Sequence, residues 1–199
     1  MQSKNIIISG ATDGIGLAAA KSIAAKGYHV CLIGRNPDKG KKAIDEIVSF
    51  SKNENLDFLE CDLSLVKNVK NLSNQIKEKY SKIDVLLNNA GGANKKKIIT
   101  SEGLEKTFAT NQMNYFVLST ELLDIISESD DGRIVNVASN AHIGAEVDYK
   151  NINSENLFVN GGLRNDTITN FHSSNVIKGG LGNDTLVGFG NVASDLRGN

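Results

Sequence analysis

Ser9-Gly10-Ala11-Thr12-Asp13-Gly14-Ile15-Gly16 spaces three glycines as Gly-x-x-x-Gly-x-Gly, directly after an apolar run and directly before residues at helical spacing. Glycine lets the backbone turn sharply and approach a phosphate. The amino terminus of a following helix adds unpaired N–H groups and the positive end of its dipole. The chemistry this spacing suits is the cradling of a pyrophosphate. The other reactive residue types mainly exclude functions. Cys31 and Cys61 sit in apolar segments without metal-ligand spacing and make no disulfide framework, which implies buried, reduced thiols and a cytoplasmic setting. His29, His142 and His172 have no carboxylate or cysteine at ligand spacing, which argues against zinc, although His142 stands near enough to Ser139 to share a cleft with it. No Gly-x-Ser-x-Gly elbow surrounds Ser139, so a serine hydrolase is not supported. Lys95-Lys96-Lys97 reads as solvated surface.

Positioning the glycine loop requires a strand before it and a helix after it, and this alternation repeats along the chain. Ile6–Ser9, Tyr28–Ile33, Leu56–Glu60, Ile83–Asn88 and Arg133–Ala138 read as strands. Helices are expected over Ile15–Ala25, over Asp38–Phe50 behind Pro37, over Leu65–Tyr80 with Leu65, Val69, Leu72 and Ile76 on one face, and over Leu104–Ser127. Strands apolar on both faces and separated by helices imply right-handed crossovers. The expected fold is α/β, a Rossmann-type doubly wound parallel sheet of about five strands, with the ligand crevice at the strands' carboxyl ends.

The chain has 199 residues, 40% hydrophobic and 23% charged, enough for one globular domain with a buried core. A net charge of −1 gives no basic field for nucleic acid or an anionic membrane, and no apolar run suits a membrane span or a signal peptide. Composition changes near residues 157 to 160. Of 18 lysines, 17 lie before residue 151, whereas the remaining stretch holds 8 of the 19 glycines and ten asparagines. Such material favours turns over helices. The expected division is a nucleotide-binding domain over 1–158 and a distinct tail over 159–199.

Further motifs stand at the other strand ends. Arg35-Asn36 follows the second strand, Asp62-Leu63 the third and Asn88-Asn89-Ala90-Gly91 the fourth; Asn111 lies in Thr110-Asn111-Gln112-Met113-Asn114, and Ser139 in Val137-Ala138-Ser139. With the glycine loop, this set resembles the short-chain dehydrogenase/reductase family over residues 3 to about 157, with Ser9 replacing a threonine and Asn114 a glycine common there. The stretch Ser139–Leu157 is similar to its retinol-dehydrogenase-like and protochlorophyllide-reductase-like branch. The resemblance implies a dinucleotide on Gly10, Thr12, Asp13, Gly14, Ile15, Gly16, Arg35, Asn36, Asp62, Leu63, Asn89, Ala90 and Gly91. Arg35, a cation where an acidic residue would hold the ribose hydroxyls of NAD, favours NADP over NAD. Asn111 and Ser139 match two catalytic positions of the family.

The family's chemistry is hydride transfer between a nicotinamide and a carbonyl or alcohol. A tyrosine serves as acid or base, its pKa lowered by a lysine four residues on. Here the fourth residues after the four tyrosines are Leu32, Asp84, Ser119 and Asn153. Tyr149, beside Lys150, reads as a loop aromatic. The resemblance therefore implies a truncated enzyme with little or no turnover, lacking the catalytic helix, the sixth strand and the substrate region. A fifth strand without its neighbour leaves an open edge, through which the chain is expected to self-associate unless the tail covers it.

The tail carries its own motif. Gly161-Gly162-Leu163-Arg164-Asn165-Asp166-Thr167-Ile168 and Gly179-Gly180-Leu181-Gly182-Asn183-Asp184-Thr185-Leu186 stand 18 residues apart, with a degenerate copy between them. They resemble calcium-binding RTX nonapeptides. Two nonapeptides make one turn of a parallel β-roll, so the resemblance implies stacking of Asp166 on Asp184 as calcium ligands, against which Arg164 adds a positive charge. The tail is expected to be β-roll-like, or disordered without calcium. Two further readings remain open: a calcium-binding repeat protein with a relic nucleotide fold, and a recombined chain without function.

Overall fold

The computed structural model describes residues 4–94 and 96–139, together with the backbone of four short strands between residues 158 and 188. Strand and helix alternate as β1 (Asn5–Ser9), α1 (Gly14–Ala24), β2 (His29–Gly34), α2 (Pro37–Ser51), β3 (Leu56–Glu60), α3 (Val66–Lys79) and β4 (Val85–Asn88). A broken helical stretch follows, and then β5 (Arg133–Asn136). All neighbouring pairs in the five-stranded sheet are parallel, in the order β3-β2-β1-β4-β5. The α/β, doubly wound parallel sheet is therefore present.

β1 shows why these strands lie in the middle. Successive side chains point to opposite faces of a strand. Ile6 and Ile8 enter a core with Val30, Leu32, Ala20, Ala24, Ala43 and Ile47, beneath α1 and α2. Ile7 enters the other core with Cys31, Ile33, Val69, Leu72, Ile76, Leu86 and Leu118, beneath α3 and the later helices. Each fully buried aliphatic side chain contributes about 1.5–3 kcal/mol by leaving water. α2 opens with Pro37 in its first turn, capped by Asn36, whose side chain accepts from the Lys39 N–H. It ends at Lys52 in the left-handed conformation, φ 59°.

Polar anchors fix the register at the strands' amino ends. The Asn5 N–H donates to Asp84 Oδ2 at 2.7 Å, and Ser129 Oγ donates to Asp84 Oδ1 at 2.6 Å. Asp57 joins three elements. His29 Nε2 lies 2.8 Å from its Oδ2, Tyr80 donates to the same oxygen at 2.5 Å, and Lys79 pairs with Oδ1. Burial works against the Asp57 charge, but Lys79 and Tyr80 outweigh it and hold the carboxyl below the usual carboxylate range.

The single helix expected over 104–127 is instead α4 (Lys106–Phe108), a π turn (Ala109–Met113), α5 (Asn114–Glu121) and α6 (Leu123–Ser127). The Asn114 N–H donates to the Ala109 carbonyl, five residues back, and its Nδ2 donates to Thr110 at 3.1 Å. At Leu122 the backbone leaves helical values, φ −100° and ψ 0°. β5 is exposed along its whole length, with Ile134 at 37% and Val135 at 43%. No described helix is long and apolar enough to cross a membrane.

The chain forms two compact units, Met1–Val137 and Ala138–Asn199, whereas sequence character changes at 158/159. In the second unit, β6 (Phe158–Asn160) pairs in parallel with β8 (Val176–Lys178), and β7 (Thr167–Asn170) with β9 (Thr185–Gly188). Phe158 faces Val176 and Thr167 faces Thr185, so both pairings are offset by 18 residues. Asp166, Asp184, His142, Tyr149 and Lys150 lie outside the described residues.

Candidate functional site

The loop after β1 takes its shape from what surrounds it. Gly10 has φ 67°, and a Cβ there would stand 2.7 Å from the Ala90 Cα. At Gly16 a Cβ would collide with the Gly10 carbonyl, so this glycine lets the helix begin beneath the loop. Gly14, at φ 51°, has open space where a Cβ would go. Ser9 Oγ accepts from the Asn89 and Ala90 N–H groups at 3.0 and 3.1 Å, and Asn89 Nδ2 donates to the Ser9 and Gly10 carbonyls at 3.1 and 3.0 Å. Four hydrogen bonds thus lock the loop to the end of β4. Asp13 caps α1, its Oδ1 accepting from the Gly14 N–H at 2.8 Å.

These residues line one cleft of about 590 Å³ at the carboxyl ends of the strands. Gly10, Thr12, Asp13, Gly14 and Ile15 form one wall; Arg35, Asp62, Leu63, Asn89, Ala90 and Gly91 meet them there. Ile15 is 72% exposed, an apolar side chain held at the opening. Gly16 and Asn36 do not line the cleft: the first is buried under the loop and the second caps α2. Burial raises the cost of charge on Asp62, yet the Ser64 hydroxyl at 2.7 Å and N–H at 3.0 Å, with Lys106 and Arg35, hold its carboxyl below the usual range.

Cleft-lining residues that sequence reasoning missed include Ser64, Lys106 and Thr110. Ser64 was accessible from Asp-x-Ser, a spacing that favours a local side-chain turn. Lys106 had no signal, because the bent stretch after β4 brings it in.

Asn111 is exposed and lies outside the cleft lining. Its Oδ1 accepts from the Gly92 N–H at 3.0 Å and its Nδ2 donates to the Gly92 carbonyl at 2.9 Å. Both ends of the amide are committed to the loop after β4. Asn88 is buried and donates to Ser119 Oγ and Asn136 Oδ1 at 3.0 and 2.9 Å, tying β4 to α5 and β5. Ser139 belongs to the second compact unit.

A parallel sheet with a glycine-rich first turn, a capped helix behind it and a cleft across four strand ends defines a dinucleotide-binding fold of Rossmann type. Residues 4–149 match the short chain dehydrogenase family, and the chain belongs to that family. It is 34% identical to human polyprenol dehydrogenase over 152 residues, covering 74% of this chain and 46% of that protein. It is 31% identical to human retinol dehydrogenase 13 over 150 residues, covering 75% and 45%. Its fold is similar to that of a short chain dehydrogenase from Shigella flexneri solved with NADP, at a TM-score of 0.61, 26% identity and coverage of 71% and 61%. The chain spans about half the length of the curated relatives it matches.

Proposed function

We propose that this chain binds NADP in the cleft, as the nucleotide-binding part of an oxidoreductase acting on a small carbonyl or alcohol, with little or no turnover of its own. The observation that carries the reading is the convergence of the glycine loop, Arg35, Asp62 and Asn89–Gly91 on one cleft. The residues fit the group. Open space at Gly14 leaves backbone and the α1 amino terminus accessible to a pyrophosphate, and Arg35 forms no ion pair within 4 Å among the described residues. A guanidinium so placed suits the 2′-phosphate of NADP.

When bound, the dinucleotide supplies or accepts a hydride. Asn111 positions the Gly92 loop beside it, and Ser139 matches the family's substrate-oxygen donor. No Tyr-x-x-x-Lys is present to move the proton that must accompany hydride transfer, which is the reason for proposing little or no turnover. The free, buried thiols of Cys31 and Cys61 support a cytoplasmic setting.

A second reading concerns residues 159–199, for which a calcium-binding roll with Asp166 and Asp184 as ligands is proposed. The 18-residue offset of both strand pairs favours it, since that is the repeat of two nonapeptides. Calorimetric titration of NADPH and NADH, with and without millimolar calcium and followed by far-ultraviolet dichroism, tests both readings. Tighter binding of NADPH is expected, along with a calcium-dependent gain of strand signal. A folded chain that binds neither nucleotide overturns the first reading, and a spectrum indifferent to calcium overturns the second.

A further inference from the structure

After the cleft-lining residues Ala93 and Asn94, the chain folds back on itself over residues 98–106. Ile99 bridges Glu105 in antiparallel fashion, the Lys106 N–H donates to the Ile98 carbonyl at 2.8 Å, and the Thr100 N–H donates to the Leu104 carbonyl at 2.8 Å. The first arm of this turn carries two adjacent isoleucines, Ile98 at 42% and Ile99 at 50% exposed. Adjacent side chains of such an arm alternate in direction. An exposed pair therefore means that neither side of the arm is packed into the core.

The turn also sorts its charges. Its two carboxylates are spent on helix starts: Glu102 accepts from the Val66 and Lys67 N–H groups at 2.6 and 2.9 Å, and the buried Glu105 accepts from the Phe108 N–H at 2.8 Å. Lys96 and Lys97, directly before the isoleucines, are exposed and form no ion pair within 4 Å among the described residues. The same holds for Lys67, whose backbone is bonded to Glu102. A whole-chain charge of −1 thus conceals a local cationic face with an aliphatic tip. That combination suits an anionic lipid surface, where ammonium groups meet the headgroups and aliphatic side chains enter the acyl boundary. Single-stranded nucleic acid is a poorer match, because its bases stack on aromatic side chains and residues 91–106 contain none. A purely acidic chain would pair with the lysines but leave the isoleucines in water.

We propose that residues 96–99 dock on an anionic lipid surface, with Lys96, Lys97 and Lys67 against the headgroups and Ile98 and Ile99 in the outer acyl region. The docking is independent of the nucleotide reading, since none of these five side chains lines the cleft.

The test is co-sedimentation of the full chain with vesicles of phosphatidylcholine alone and of phosphatidylcholine with phosphatidylserine, using the wild type, K96Q, K97Q and I98S/I99S, each shown to be folded by dichroism. Sedimentation with the serine-containing vesicles is expected, weakened about fivefold by each lysine change and about tenfold by the double isoleucine change. Added salt is expected to weaken it further. The sequence has no tryptophan, so Ile99→Trp supplies a single emission signal, which is expected to shift to the blue on those vesicles. A folded wild-type chain that stays in the supernatant overturns the proposal, as does equal binding to phosphatidylcholine alone. Partition unchanged in all three variants overturns it by placing the contact elsewhere on the chain. Loss in the lysine variants alone, without a blue shift, overturns it in favour of an acidic macromolecular partner.

Discussion

At the scale of single residues, several side chains whose types suggest reactivity are committed to holding the backbone. Asn89 and Asn111 are examples. The first is bonded to the Ser9 and Gly10 carbonyls, the second to both polar groups of Gly92. Motif spacing located both residues, but whether an amide faces a ligand or its own backbone is a property of the folded loop. The thiols behave similarly. Burial pushes both Cys31 and Cys61 up to about 12. Neither thiol is therefore expected to react appreciably with a disulfide reagent at pH 8 until the chain unfolds, which stopped labelling in and out of denaturant checks. The linkage sign follows. A thiol held neutral in the fold contributes stability that is complete below the unfolded value, near pH 8.5, and is lost as pH rises toward about 12. Urea midpoints are expected to fall across that alkaline window.

At the scale of elements, hydrophobic periodicity located the five strands of the sheet and the first three helices to within about two residues, because their apolar faces are set by neighbours near in sequence. It failed at residues 104–127. There the backbone is shaped by the Asn111–Gly92 pairing, 19 residues apart, and by the Asn114 amide reaching back to Thr110. Neither contact leaves a periodic trace. Gly40 shows the reverse: a glycine inside α2 costs helix stability, and its reason is the Phe58 ring from β3, which lies 2.5 Å from where a Cβ would be. The buried face of β1 gives a stability prediction. Ile7, fully buried, is expected to cost about 2–5 kcal/mol when replaced by alanine, whereas Ile15→Ala at the cleft opening is expected to change stability by less than about 0.5 kcal/mol. Urea denaturation of the two variants separates them.

At the scale of the whole molecule, the sheet of the first unit ends in two edge strands that differ in exposure, β3 being half-buried up to Glu60 and β5 exposed throughout. β1 and β2 carry buried side chains on both faces, while Arg133–Asn136 of β5 are all exposed. We propose self-association along β5, which makes the sizing of the protein concentration-dependent. Light scattering is expected to show a dimer that Val135→Lys returns to monomer, since a charged edge resists pairing. A monomer at every concentration removes that edge as an interface. The expectation of an open edge came from the family resemblance and its sixth strand, whereas the exposure of the β5 side chains is a property of the packed sheet.

The strand order β3-β2-β1-β4-β5 also dictates a sequence of assembly. During synthesis the stretch from β1 through β3 can pair and bury its α1–α2 face as soon as it emerges, since its partners lie next to one another along the chain. The glycine loop cannot reach its final shape at that stage. Its serine and carbonyls are held by Asn89 and Ala90, which arrive only after β4. The cleft is thus a late product of folding, completed when a strand made some eighty residues after the first takes its place beside it.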